Sequence, residues 1–157
     1  MKKLHIYFFV LTALIACNSK NEKSFNDAKE ETVNEKLLNK FLGEAINEGN
    51  IASYDKVSSI FFEDNRYSDF YFYAMLMANK YKYPRAYYDL YIIMSRKGVT
   101  INDIQLYSND NNTRKLANYF LLKSYELGLK EAFVDLKGIF GKNIPLSKEY
   151  LCEIERN

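Results

Sequence analysis

Ala117-Asn118-Tyr119-Phe120-Leu121-Leu122-Lys123-Ser124-Tyr125-Glu126-Leu127-Gly128-Leu129-Lys130-Glu131-Ala132 decides how this chain folds. Its apolar residues recur at helical spacing and not in strand alternation, with one stripe from Leu116 to Leu127 and the next from Ala132 to Phe140. Gly128 stands between the two stripes, placed to end the first helix in the left-handed conformation that glycine adopts without steric cost. Ala117, Ser124 and Ala132 are small enough to let the two helices approach closely, and the larger residues between them fill the grooves. The stretch therefore predicts a helix-turn-helix whose apolar face a single pair cannot bury alone.

The pattern extends toward the N-terminus. Leu37, Leu38, Phe41, Leu42, Ala45 and Ile46 form a stripe, as do Tyr54, Val57, Ile60 and Phe61, and further stripes run from Phe70 to Tyr83 and from Ala86 to Met94. Breakers separate them. Gly49 takes the role of Gly128, Pro84 suits the first turn of a new helix, and Gly98, Gly141 and Pro145 close the later segments. Ser147 is placed to cap a last short helix carrying Tyr150, Leu151 and Ile154. A shift of 46 residues lays Tyr73 on Tyr119, Ala86 on Ala132, Asp89 on Asp135 and Leu90 on Leu136. A shift of 79 lays Phe41 on Phe120, Gly49 on Gly128, Val57 on Leu136 and Phe61 on Phe140. Three units follow, at 36–62, 68–97 and 114–141, the first two 33 residues apart and the third displaced by an insertion at 99–113. A period in the thirties built from two helices predicts an all-α fold: a short right-handed α-solenoid of three helix-turn-helix repeats with a C-terminal capping helix.

The last unit, from Ala117 through Gly128 to Ala132 and on to Leu136 and Gly141, resembles a Sel-one-like repeat, a relative of the tetratricopeptide repeat. The middle unit matches in part: Tyr73, Ala74, Ala78, Ala86, Leu90 and Gly98 fit, but Lys82 stands where the turn glycine belongs. The resemblance implies a solenoid used for protein–protein interaction and no chemical activity of its own.

At the N-terminus, Lys2 and Lys3 precede an apolar run from Leu4 to Ala16, which has the form of a secretory signal. Thirteen residues are too few to span a bilayer as a helix, which needs about 20. Leu14-Ile15-Ala16-Cys17 resembles the lipobox of bacterial lipoproteins. That resemblance implies cleavage before Cys17, a diacylglyceryl group on the Cys17 sulfur and acylation of the new amino terminus. Asn18 is not the aspartate linked in enteric bacteria with inner-membrane retention, so the resemblance implies the outer membrane, on its periplasmic face or at the cell surface. Residues 1–16 then form the signal peptide, 17–35 a lipidated N-terminus and flexible tether, and 36–157 the helical repeat domain. Asn18 to Glu35 is highly charged, with only Phe25 and Val33 as sizeable apolar residues, too few to offset ordering entropy. The competing expectation is a charged helix beginning near Asn26.

Removing the signal leaves 20 basic and 20 acidic residues and no histidine. A neutral balance argues against nucleic-acid binding, and the loss of His5 removes the commonest general base and metal ligand. Cys152 then has no thiol partner in the chain and is expected as a small buried apolar residue on the last helix. The insertion is rich in asparagine and aspartate but lacks the spaced acids and terminal glutamate of a calcium loop, so it is expected as a surface loop with Asn112 or Thr113 capping the next helix. No phosphate-binding glycine loop, metal-ligand cluster or acid–base pair of carboxylates stands out, so no cofactor and no catalytic residue is assigned and an enzyme is not expected.

Tyrosine is the candidate interaction residue. Eight lie between Tyr67 and Tyr91, and Tyr67 with Tyr71, Tyr83 with Tyr87, and Tyr87 with Tyr91 share helix faces. Tyr67, Tyr71, Tyr83, Tyr87, Tyr88 and Tyr91 are either aromatic core with hydroxyls at the water boundary or an exposed strip for a partner. Tyr87 and Tyr88 are adjacent and cannot both face the core. Three functions are compatible with these features. One is a membrane-anchored scaffold or adaptor for a protein partner. Another is an envelope inhibitor or immunity lipoprotein that blocks a single toxin or hydrolase. The third is a glycan-binding module that uses exposed tyrosines.

Overall fold

The computed structural model describes residues 19–95, 100–101, 104–105 and 111–156, with side chains placed for 34–95, 111–152 and 154. The described residues are helical apart from the turns and one very short ladder. In chain order they form α1 (Ser19–Glu48), α2 (Ile51–Glu63), α3 (Tyr67–Tyr81), α4 (Pro84–Ser95), β1 (Thr100–Ile101), β2 (Ile104–Gln105), α5 (Asn111–Glu126), α6 (Ala132–Phe140) and α7 (Ser147–Arg156). The fold is the all-α helical-repeat arrangement that the periodicity predicts, and α3 to α6 begin and end within three residues of the expected second and third units. Gly98 and most of the insertion lie outside the described residues. Within the insertion β1 pairs antiparallel with β2, Thr100 opposite Gln105 and Ile101 opposite Ile104, where the sequence predicts only loop.

The turns follow from local chemistry. Gly49 has φ +72°, and Asn50 caps α2 by accepting the Ser53 N–H at 3.0 Å. Gly128 has φ +106° and sits in a Schellman turn, with the Gly128 N–H on Tyr125 O and the Leu129 N–H on Ser124 O. Pro84 opens α4 as expected. Lys82, which replaces the turn glycine, still takes the left-handed conformation at φ +55°. Two cap expectations are corrected. Asn112 and Thr113 are not caps, because α5 already starts at Asn111. Ser147 is the first residue of α7 and is itself captured: its N–H and Oγ each donate to the Glu126 carboxylate at 2.6 Å.

All six small residues assigned to close helix approach are buried: Ala74, Ala78, Ala86, Ala117, Ser124 and Ala132. Packing runs through consecutive helices, α2 on α3, α3 on α4, and α5 against α4, α6 and α7. Phe61, Phe62, Phe70 and Tyr54 form an aromatic centre with ring centroids 5.3–5.9 Å apart. Leu121, Leu122, Ala132 and Leu136 form a second centre, covered at its edge by Phe140 and Tyr150, whose rings meet edge-on at 5.4 Å. Ile93 in α4 is completely buried, whereas Ile139, its counterpart 46 residues on, is 43 % exposed.

Two further expectations change. In place of the coil tether, the backbone is helical over 19–35 and continuous with 36–48, as the competing expectation has it from Asn26 onward. No glycine or proline interrupts Asn18 to Leu42, so a helix seeded by the apolar stripe propagates toward the N-terminus without needing burial. The contact boundary of the chain falls inside this helix, between Lys40 and Phe41. Cys152 is exposed, not buried, and forms no disulfide among the described residues. The inward face of α7 runs through Ser147, Tyr150, Leu151 and Ile154, which leaves Cys152 outside it. Among the described residues no helix is long and apolar enough to cross a membrane.

Candidate functional site

Helix α4 carries charge only at Arg85 and Asp89, four residues apart on one face. Asp89 points into the core and is fully buried. A carboxylate there is tolerable only if its oxygens are satisfied. Three donors do this: Tyr54 Oη at 3.0 Å and Ser58 Oγ at 2.8 Å, both on Oδ2, and Arg85 Nε on Oδ1 at 2.9 Å. Burial pushes the Asp89 carboxyl above the usual carboxylate range, opposed by Arg85 and by the hydrogen bonds from Ser58 and Tyr54. Burial, reinforced by Asp89, also raises the Tyr54 hydroxyl well above its ordinary value, so Tyr54 stays a donor. Asp89 therefore joins α4 to α2 from inside.

Outward from this knot runs a partly exposed strip across successive second helices. Tyr83 Oη donates to Asp55 Oδ1 of α2 at 2.8 Å, and Tyr88 Oη of α4 donates to Asp135 Oδ2 of α6 at 2.8 Å. The Arg85 guanidinium lies over the Tyr88 ring, 5.8 Å from its centroid. Asp55, Ser58, Ser59, Tyr83, Arg85 and Leu129 line a cavity of about 290 Å³. Burial and the bond to Asp135 push the Tyr88 hydroxyl up to about 12, and burial with the bond to Asp55 raises Tyr83 as well. Both phenols therefore hold their protons and fix the two carboxylates. Asp55 and Asp135 each keep one carboxylate oxygen, and Arg85 its terminal nitrogens, without a hydrogen bond among the described residues. The strip can accept from amide or cationic donors at two points and donate to a carbonyl or carboxylate at a third.

The six candidate tyrosines divide. Tyr83 and Tyr88 belong to the strip. Tyr67 and Tyr87 are core residues, 8 % and 5 % exposed; Tyr67 bonds Asn65 Oδ1 at 3.2 Å and Tyr87 packs on Phe120 with centroids 6.2 Å apart. Tyr71 is half-buried, and burial raises its hydroxyl. Tyr91 lines a different cleft beside Ser95 and Arg114. Sequence reasoning missed Asp55, Arg85 and the donor role of Tyr54. A signal for Arg85 and Asp89 existed, since a charged pair at i,i+4 is out of place in a helix otherwise apolar on that face. Nothing in the sequence marked Asp55. Leu14, Ile15, Ala16 and Cys17 lie outside the described residues. Among the described residues no cluster of three or more histidine, cysteine or acidic side chains is placed to hold a metal ion. Compared with protein-family models, curated proteins and solved structures, the chain matches none.

Proposed function

We propose that this chain is a protein–protein interaction module of a bacterial envelope, held at the membrane by acyl chains on Cys17 and using Sel-one-like helical repeats to receive a polypeptide partner. The observation that carries the proposal is the strip Asp55–Tyr83–Arg85–Tyr88–Asp135. Its polar groups are fixed by hydrogen bonds, so little side-chain entropy is lost when a partner docks. Tyrosine and arginine are the residues on which interface energy concentrates. The best-matched partner places a basic or amide side chain opposite Asp55 or Asp135 and a backbone carbonyl opposite Arg85. The lipobox supports anchoring, because more than one acyl chain is needed for stable membrane residence and lipoprotein maturation supplies them. One tight partner would make the protein an inhibitor of that partner; several weaker ones would make it a scaffold.

Two measurements test this. Cells expressing the full chain and Cys17→Ser are labelled with a palmitate analogue; label in the first and none in the second supports the anchor, and equal labelling rejects it. Envelope complexes are then captured on the full chain and on a Tyr83→Ala, Tyr88→Ala double variant. Loss of a bound protein in the variant supports the strip, and undiminished capture rejects it.

A further inference from the structure

The second cleft of the molecule carries a different chemistry. It lies between the end of α4 and the first half of α5, is walled by Ile139 of α6 and Tyr150 of α7, and encloses about 400 Å³, a volume in the range of small-ligand sites. Asn111, Arg114, Lys115 and Asn118 all line it, and their spacing of i, i+3, i+4 and i+7 puts them on one face of α5. Opposite them stand Tyr91 and Ser95, and Met94 and Ile139 supply apolar wall. Among the described residues the lining thus holds two cations, two carboxamides and three hydroxyls, and no carboxylate.

Among the described residues both cations are uncommitted. Among the described residues Arg66 pairs with Asp69 at 3.0 Å and Arg85 with Asp89 at 2.9 Å, but neither Arg114 nor Lys115 has an ion-pair partner. Burial and then the charge of Asp135 raise the Tyr91 hydroxyl, and Asp135 itself accepts from Tyr88. One of the amides is pre-positioned: Asn118 Nδ2 contacts Tyr150 Oη at 3.3 Å. An arginine fork and an ammonium beside fixed amides and hydroxyls suit a planar or tetrahedral oxyanion.

We infer that this cleft binds a small ligand bearing a phosphate or carboxylate group on a polar body of sugar size. Arg114 and Lys115 hold the oxyanion, Asn111 and Asn118 bond the body, and Met94 and Ile139 cover its apolar face. The cleft shares no lining residue with the docking strip, so it stands or falls independently of the partner proposal.

The test is isothermal titration of the full chain in non-ionic detergent micelles. The probes are inorganic phosphate, glucose 6-phosphate, glucuronate and glucose. Saturable binding of at least one anionic probe, none of glucose, and a loss of about tenfold in affinity in both Arg114→Gln and Lys115→Gln is the expected result. Lys137→Gln, an exposed charge of α6 outside the cleft, should bind like the parent. Unliganded unfolding midpoints should be unchanged in all three variants, since none removes a described ion pair. No binding by any anion, binding of glucose as tight as glucuronate, or equal losses in Lys137→Gln and Arg114→Gln would each overturn the inference.

Discussion

Tyr88 of α4 donates its hydroxyl to Asp135 of α6 across 2.8 Å, and Tyr54 of α2 makes the same kind of bond to Asp89 of α4 across 3.0 Å. Asp89 and Asp135 are 46 residues apart, the shift that relates the second and third helical pairs. The repeat is therefore present in the contacts as well as in the letters: each second helix is tied to the next by a phenol on a carboxylate. The two bonds differ in setting. Asp89 is buried and saturated by three donors, while Asp135 lies nearer water with one oxygen open.

That difference predicts unequal costs. Asp89→Ala leaves Tyr54, Ser58 and Arg85 without their acceptor and should cost about 3–5 kcal/mol in urea unfolding, the scale for breaking a buried charged pair. Tyr88→Phe removes one half-exposed bond and should cost about 1 kcal/mol. Equal effects would contradict the role assigned to Asp89.

The pH dependence of the two acids should be opposite in sign. The Asp89 carboxyl is raised by burial, so the folded state binds the proton more tightly than the unfolded chain. Its contribution is fully present below the unfolded value near 3.8 and is lost as pH rises through the folded value. Unfolding free energy measured from pH 3.5 upward should therefore fall relative to Asp89→Asn. For Glu126 burial acts upward, but the two hydrogen bonds from Ser147 and the Lys123 charge outweigh it, and the carboxyl is lowered. Its contribution is present above the unfolded value near 4.5 and is lost as pH falls through the folded one. Glu126→Gln should erase that acid-side loss and loosen the first turn of α7, seen as faster amide exchange at Ser147 and Tyr150.

The turn residues give a graded test. A Cβ on Gly49 would meet the Tyr81 ring at 2.6 Å as well as the strain of φ +72°, while a Cβ on Gly128 has nothing within 4 Å. Gly128→Ala should cost about 1–2 kcal/mol from backbone conformation alone. Gly49→Ala should cost more, because Tyr81 must also give up its bonds of 2.9 Å to Ile46 O and Asn47 O. Lys82→Gly, which relieves a left-handed side chain on an exposed turn, should be stabilising by up to about 1 kcal/mol. Denaturation midpoints of the three variants check the order.

Much of the fold was legible because helical periodicity and small-residue spacing are local signals. Ala74, Ala78, Ala86, Ala117, Ser124 and Ala132 were readable as contact points because a solenoid repeats them, and all six are buried. What escaped depended on distant partners. Ser147 reads as a cap until Glu126, 21 positions earlier, is seen to reach it. Asp89 shows only as a repeat of Asp135 until Tyr54, 35 positions earlier, is seen to supply its donor. The N-terminal helix was legible from Asn26 as the competing expectation, but its extension back to Ser19 was not, because composition reports whether a segment can bury surface, not whether an existing helix can extend through it. Of the tyrosine strip, the 87/88 division was legible from adjacency, but the aspartates that fix Tyr83 and Tyr88 lie on other helices.

The most direct test of the proposed docking surface is site-specific photo-crosslinking in native envelopes, with a photoreactive phenylalanine at position 83 or 88 and, as control, at exposed position 148 on α7. One or more defined protein adducts from 83 and 88, absent from 148 and abolished by adding Arg85→Ala, are expected. No adduct at either tyrosine position, or the same adducts from all three, would contradict the assignment of this strip as the partner-binding surface.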